Sequence, residues 1–152
     1  MAVGTVTLYS ANKDDLNINA LVAGTVKLAL VTSSYTPDVT TSGNTIWANV
    51  SANEIANGNG YTTGGISLSS MVATAVSGGY KFSSASPVWN ASGGDIPAWR
   101  YGVFYYNGTL WGLTNPLIGY FLGDTAPANV PATTSGNPLT ITVPANGWFD
   151  AT

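Results

Sequence analysis

Four glycines fall within the nine residues Asn57-Gly58-Asn59-Gly60-Tyr61-Thr62-Thr63-Gly64-Gly65. No regular helix or strand is built from such a run at acceptable cost, because glycine loses the most backbone freedom on ordering. It favours positive φ and close backbone approach instead. Gly58, Gly60, Gly64 and Gly65 therefore predict a structural hinge, a tight connector with Tyr61 as its one large anchor. Ahead of it the chain reads as a mixed segment with room for helix. After it the chain reads as strand, turn, strand.

Thr25 to Thr32 alternates as a strand, with Val26, Leu28 and Leu30 on one face and Lys27, Ala29 and Val31 on the other. Thr5 to Tyr9 is a shorter strand. Ser10 or Asn12 is placed to cap a short helix through Leu16, Ile18 and Leu21, with Asp14 and Asp15 in its first turn. Around Ile46-Trp47 and Glu54-Ile55 we expect short helical turns or loops carrying apolar plugs. Ser77-Gly78-Gly79 predicts a hairpin between Ile66–Val76 and Tyr80–Ser83, and Asn107-Gly108 predicts another between Ala98–Tyr106 and Thr109–Leu113. Both sides of Ala98–Tyr106 carry aromatics, so this run should be a central strand covered on both faces. Pro87–Asn90 and Pro116–Leu122 are further strands. Thr125 to Asn137 reads as a loop, and Leu139–Val143 with Gly147–Ala151 as a last strand pair or one bent strand. About eight to ten short strands at this spacing indicate a sandwich or barrel. We expect one mainly β domain over residues 1–152, an antiparallel, jelly-roll-like β-sandwich with one or two short helical segments near the N-terminus.

Composition narrows the chemistry. The 152 residues contain no cysteine and no histidine, which removes disulfides, thiolate metal sites, and the commonest general base and metal ligand. Only 7% of residues are charged, against about 25% in ordinary globular domains. So little charge protects a monomer poorly against association, which fits a chain that works assembled and equally a rigid extracellular domain with a neutral, Thr-rich exterior; composition alone does not separate the two. Lys13, Lys27, Lys81 and Arg100 are scattered and the net charge is -3, which argues against nucleic acid as a partner. No apolar run approaches the roughly 20 residues that span a bilayer, so no membrane partner is expected. The N-terminus lacks the basic and apolar regions of a signal peptide, an expectation of synthesis in a cytosol.

The seven carboxylates give no motif. Asp14 and Asp15 are adjacent and diverge on either helix or strand. Asp38, Asp95 and Asp124 sit beside proline or glycine, as turn residues do. A glycosidase would need two carboxylates about 5 to 9.5 Å apart in a cleft, and a calcium site at Asp95 or Asp124 lacks the spaced acidic loop. We expect no catalytic residue, no metal and no cofactor. The tryptophans could form a sugar-stacking platform, but aromatics more often fill cores and interfaces. Trp89 and Trp99 are expected in the core. Trp47 and Trp148 lie in irregular or terminal segments and are expected as partner contacts.

The order of landmarks resembles a family of small tailed-phage virion proteins. The residues that carry the resemblance are Val26-Lys27-Leu28-Ala29-Leu30-Val31, Ser34-Tyr35-Thr36-Pro37-Asp38, Gly60-Tyr61-Thr62-Thr63-Gly64-Gly65 and Val88-Trp89-Asn90-Ala91. They continue through Trp99-Arg100-Tyr101-Gly102-Val103-Phe104-Tyr105, Pro116-Leu117-Ile118-Gly119-Tyr120, and Leu139–Val143 with Gly147. The segment Thr40 to Asn53 and Pro144 depart from the pattern. The resemblance implies a structural component of a virion made in the host bacterial cytoplasm. The resemblance leaves the position in the particle open; the role we expect within it is a head decoration (cement) protein that bridges major capsid proteins and copies of itself, as a homotrimer. The alternatives are a minor tail or head-fibre component, or a carbohydrate-binding virion protein that contacts the host surface.

Overall fold

A computed structural model describes residues 1, 3–124, 126 and 128–152. Ala2, and Thr125 and Pro127 of the predicted loop, lie outside the described residues. The chain is mainly β and every strand pairing is antiparallel. Its elements in order are β1 (Thr7–Leu8), α1 (Ser10–Lys13), α2 (Ile18–Val22), β2 (Val26–Val31), two 3₁₀ turns (Trp47–Asn49 and Ser51–Asn53), β3 (Ile66–Ser67), β4 (Val72–Val76), β5 (Gly79–Ser83) and β6 (Val88–Asn90). After these come β7 (Tyr101–Tyr106), β8 (Thr109–Leu110), β9 (Leu113–Thr114), β10 (Leu117–Leu122), β11 (Pro138–Thr140) and β12 (Phe149–Ala151). They form sheets ordered β1-β10-β7-β2-β3, β12-β5-β4, β11-β6 and β8-β9.

The five-stranded sheet is the centre. Its β7 lies between β10 and β2, and both of its faces are sealed, as aromatics on both sides predict. On one face Val26, Leu28, Leu30, Phe104 and Phe121 meet the inner side of the three-stranded sheet. Phe104 packs 5.1 Å from Trp148 and Phe121 stacks 6.0 Å from it, while Phe82 and Phe149 stack at 5.2 Å. On the other face Ala29, Val31, Val103, Tyr105 and Leu117 are covered by Tyr9, Tyr35, Trp47 and Val50. The irregular segment between β2 and β3 is thus a lid of apolar plugs over one face of the sheet.

Several expectations are corrected. Trp47 and Trp148 are not offered to another chain: they are 9% and 3% exposed, and the Trp148 indole N–H donates to Ser84 Oγ at 2.8 Å. An irregular segment that must roof a sheet supplies core as readily as a strand does. Trp99 is buried as expected, but it joins the Phe121 side of the sheet, opposite to Val103. Strand β7 begins only at Tyr101 and Trp99 bridges separately to Val130, so the alternation does not run through it. The N-terminal helix is two short ones, and Asn17 caps the second by accepting from Ala20 N at 3.3 Å. Asn12, one of the two expected caps, is buried and donates to Thr45 O and Leu117 O at 2.7 and 2.9 Å.

The Ser77-Gly78 hairpin forms, with Val76 paired to Gly79. The other hairpin turns at Trp111-Gly112, both at positive φ, and Asn107-Gly108 lies inside its arm, where Gly108 N donates to Asn115 Oδ1 at 2.8 Å. The closing segments do not pair together. β11 pairs with β6 and β12 with β5.

Candidate functional site

The glycine-rich stretch is densely hydrogen-bonded for an irregular segment, and its geometry follows from a shortage of strand. β3 pairs only with Lys27 and Leu28, so the rest of that edge of β2 needs other partners. Ile55 N donates to Leu30 O at 3.0 Å and Asn53 O accepts from Thr32 N at 2.9 Å. Leu30 N donates to the Tyr61 hydroxyl at 3.0 Å. A side-chain oxygen therefore stands where a neighbouring strand's carbonyl would be.

Tyr61 is held to this position from all sides. It is 2% exposed, lies 6.1 Å from the Trp89 ring, and donates its own proton to Glu54 Oε1 at 2.7 Å. Gly64 N donates to the same Glu54 oxygen at 2.6 Å, and Tyr105 donates to Gly64 O at 2.6 Å. Trp47 stacks on Tyr105 with centroids 4.7 Å apart. Gly58 and Tyr61 exchange backbone bonds around Asn59-Gly60. Gly58, Gly60, Gly64 and Gly65 all have positive φ, as their clustering predicts. The stretch is a pinned connector. Burial first, and then the bond to Glu54, push the Tyr61 phenol above its ordinary value. Burial, with Glu54's charge, pushes Tyr105 up to about 12.

Glu54 and Tyr105 were not singled out by the sequence. Glu54 sits in a loop without a motif, and only the return of the chain beside β2 gives it a role. A second tyrosine cluster closes the far end of the same sheet face. Tyr35 donates to Asn44 Oδ1 at 2.8 Å, so in the 2.7 Å contact between the two phenols Tyr9 is the donor. Burial raises both phenols, Tyr35 to about 12.

Each of these hydroxyls and the Glu54 oxygen is engaged within the chain. No group of three or more acidic residues gathers to hold a metal among the described residues. Asp38 is exposed and its carboxyl is lowered by bonds from Thr40, an ordinary turn. Four surface clefts measure 190 to 280 Å³, below the ~300–1,000 Å³ of ordinary ligand pockets. Trp47, Trp89, Trp99 and Trp148 are all buried, so these four do not form a sugar-stacking platform. The Trp89 and Trp99 indole N–H groups lack acceptors. Each such loss costs about 1–3 kcal/mol, less than the ~4–6 kcal/mol from burying the 150–250 Å² of a tryptophan. Packing decides their place.

No protein-family model matches this chain, and no curated protein or solved structure is detectably similar to it.

Removing the Tyr61 hydroxyl tests the strand-substitute role. Tyr61→Phe orphans the buried Leu30 N–H and takes one donor from Glu54, and should lower stability by about 2 kcal/mol. The urea midpoint should fall with an unchanged slope. A loss under about 0.5 kcal/mol would mean that water replaces the hydroxyl.

Proposed function

We propose that this chain is a structural component of a tailed-phage virion, acting by the area it covers and not by chemistry. Within that reading it is a capsid decoration protein. Copies, as a homotrimer, lie over junctions between major capsid proteins and clamp them. The observation that carries the proposal is where the reactive groups are. The carboxylate and phenols of the glycine-rich connector bond inward, and four of the five tryptophans are core, while only 7% of the chain is charged. What remains outside is a nearly neutral surface rich in Ser, Thr and Asn. The colinear landmarks shared with small phage virion proteins support the same reading. So does the packing of the three-stranded sheet on the five-stranded one, which we read as a sandwich.

An interface of about 1,600 Å² suffices for a specific contact, and repetition over a shell multiplies it. The outward residues of Thr40–Asn53, among them Thr41, Ser42 and Ala48, are exposed and would carry contacts beyond the chain, since binding is commonly carried on surface loops. Particles assembled without the protein should inactivate faster on heating and release DNA under milder osmotic shock than complete ones. Equal robustness of the two would exclude clamping and leave a minor tail or head-fibre role. Burial of four of the five tryptophans takes those indoles away from the carbohydrate-binding alternative.

A further inference from the structure

Strand β4, Val72–Val76, is the longest strand with an open edge among the described residues. In the order β12-β5-β4 its far side has no neighbour. The other edge strands have two or three residues. Natural edges are usually blunted by charge, proline, a bulge or shortness. This one has five uncharged residues, no proline and an unbroken register with β5. Val72 is 49% exposed, and Thr74 and Ala75 are also exposed. Helix α2 packs against both β4 and β5, which places it across the sheet and not along the outer edge.

The register says which groups are free. Val76 faces Gly79 across a two-residue loop, so Val72, Thr74 and Val76 bond toward β5. Ala73 and Ala75 therefore turn their amides and carbonyls outward. Neither residue has another backbone partner among the described residues. The edge offers two donors and two acceptors at the spacing of one hydrogen-bonded pair and the next.

The sequence of the edge, Val-Ala-Thr-Ala-Val, reads the same in both directions. We propose that β4 is a self-association edge, pairing antiparallel with β4 of a second copy about a two-fold axis through Thr74. In that register Ala73 faces the partner copy's residue 75, and Ala75 faces its residue 73, so four backbone hydrogen bonds form and every outward group is used. Valine meets valine and threonine meets threonine on the solvent face, pairings that strands favour. No charge opposes another along the seam. The two three-stranded sheets become one of six strands, and the two-fold closes the contact so that it does not propagate. A foreign strand could meet the same four groups, but the palindrome matches this chain's own edge. The contact does not rest on the virion assignment. One edge covers less than the roughly 1,200 Å² of a standard stable interface, so the pairing depends on concentration. On a crowded shell it would link neighbouring copies.

Position 74 gives the test, because Thr74 would face its own copy across the axis. Sedimentation equilibrium of the full chain should show two chains associating as concentration rises into the millimolar range. Thr74→Lys and Thr74→Glu, each alone, should weaken that association by about tenfold or more, since like charges then meet directly. An equimolar mixture of the two variants should recover it. Ala75→Pro, which removes an outward amide without touching the ladder to β5, should weaken it as well. Unchanged urea midpoints would establish that the variants stay folded. A wild-type chain that stays monomeric overturns the proposal. So does association indifferent to residue 74, whatever number of chains it joins, or a mixture that fails to recover.

Discussion

Gly65→Ala is expected to destabilise the fold by about 3–5 kcal/mol, a large share of the 5–15 kcal/mol that holds a domain of this kind. Two terms contribute. Gly65 has φ +77, where a side chain costs about 1–2 kcal/mol. A Cβ there would also lie 2.1 Å from the Leu28 carbonyl oxygen and 2.6 Å from Ala29 Cα, and both are backbone of β2. Neither can rotate aside, so the β2–β3 edge would have to open. Gly93 separates the terms. Its φ is +79, and nothing lies within 4 Å of a Cβ built on it. Gly93→Ala should cost only the conformational term, about 1–2 kcal/mol. Equal urea midpoints for the two variants would show that close approach to β2 is not what position 65 requires.

The second large effect is alkaline unfolding. Burial raises the phenols of Tyr9, Tyr35, Tyr61 and Tyr105 above their ordinary values. In the unfolded chain they ionise near pH 10. Above that pH the unfolded state releases protons that the folded state still holds, so stability is full below about pH 10 and falls as pH rises toward the folded values. Each tyrosine contributes a slope of about 1.4 kcal/mol per pH unit, and four together about 5–6. By about two units above pH 10 the loss is about 10 kcal/mol, comparable to the whole stability of a domain. Circular dichroism and phenolate absorbance should therefore change together, in one cooperative step. Buried phenols that titrated smoothly near pH 10 with the sheets intact would refute the assignment. Tyr61→Phe should make the step shallower.

What could be read in the sequence was what neighbouring residues decide among themselves. The alternation of β2 placed Val26, Leu28 and Leu30 on one face and Ala29 and Val31 on the other, and the structure puts them on opposite sides of the central sheet. The Ser77-Gly78 turn was legible for the same reason. Distant partners decided the rest. Asn107-Gly108 has the favoured hairpin chemistry, but β7 stays paired with β2 as far as Tyr106, and Asn107 N bonds to Thr25 O at 2.8 Å. The turn is displaced to Trp111-Gly112. β11 and β12 are neighbours in sequence and go to different sheets. Trp47 and Trp148 looked available because no periodicity surrounds them, and only the closed fold shows that each completes a packed layer. The Glu54–Tyr61 contact joins a loop to a glycine run along the part of the β2 edge that β3 leaves unpaired, a relation that no local pattern encodes.

The order of strands also governs how the polypeptide can mature. β1 waits for β10, β2 waits for β7, and β5 lacks one neighbour until Phe149–Ala151 arrives. A nascent chain emerging from the ribosome can close the β4–β5 hairpin early, but the central layer cannot assemble until synthesis has passed Leu122. Such late, non-local closure makes folding slow and leaves intermediates open to aggregation. Yield in a producing cell should therefore depend more on temperature and chaperone supply than on the equilibrium stability of the finished molecule.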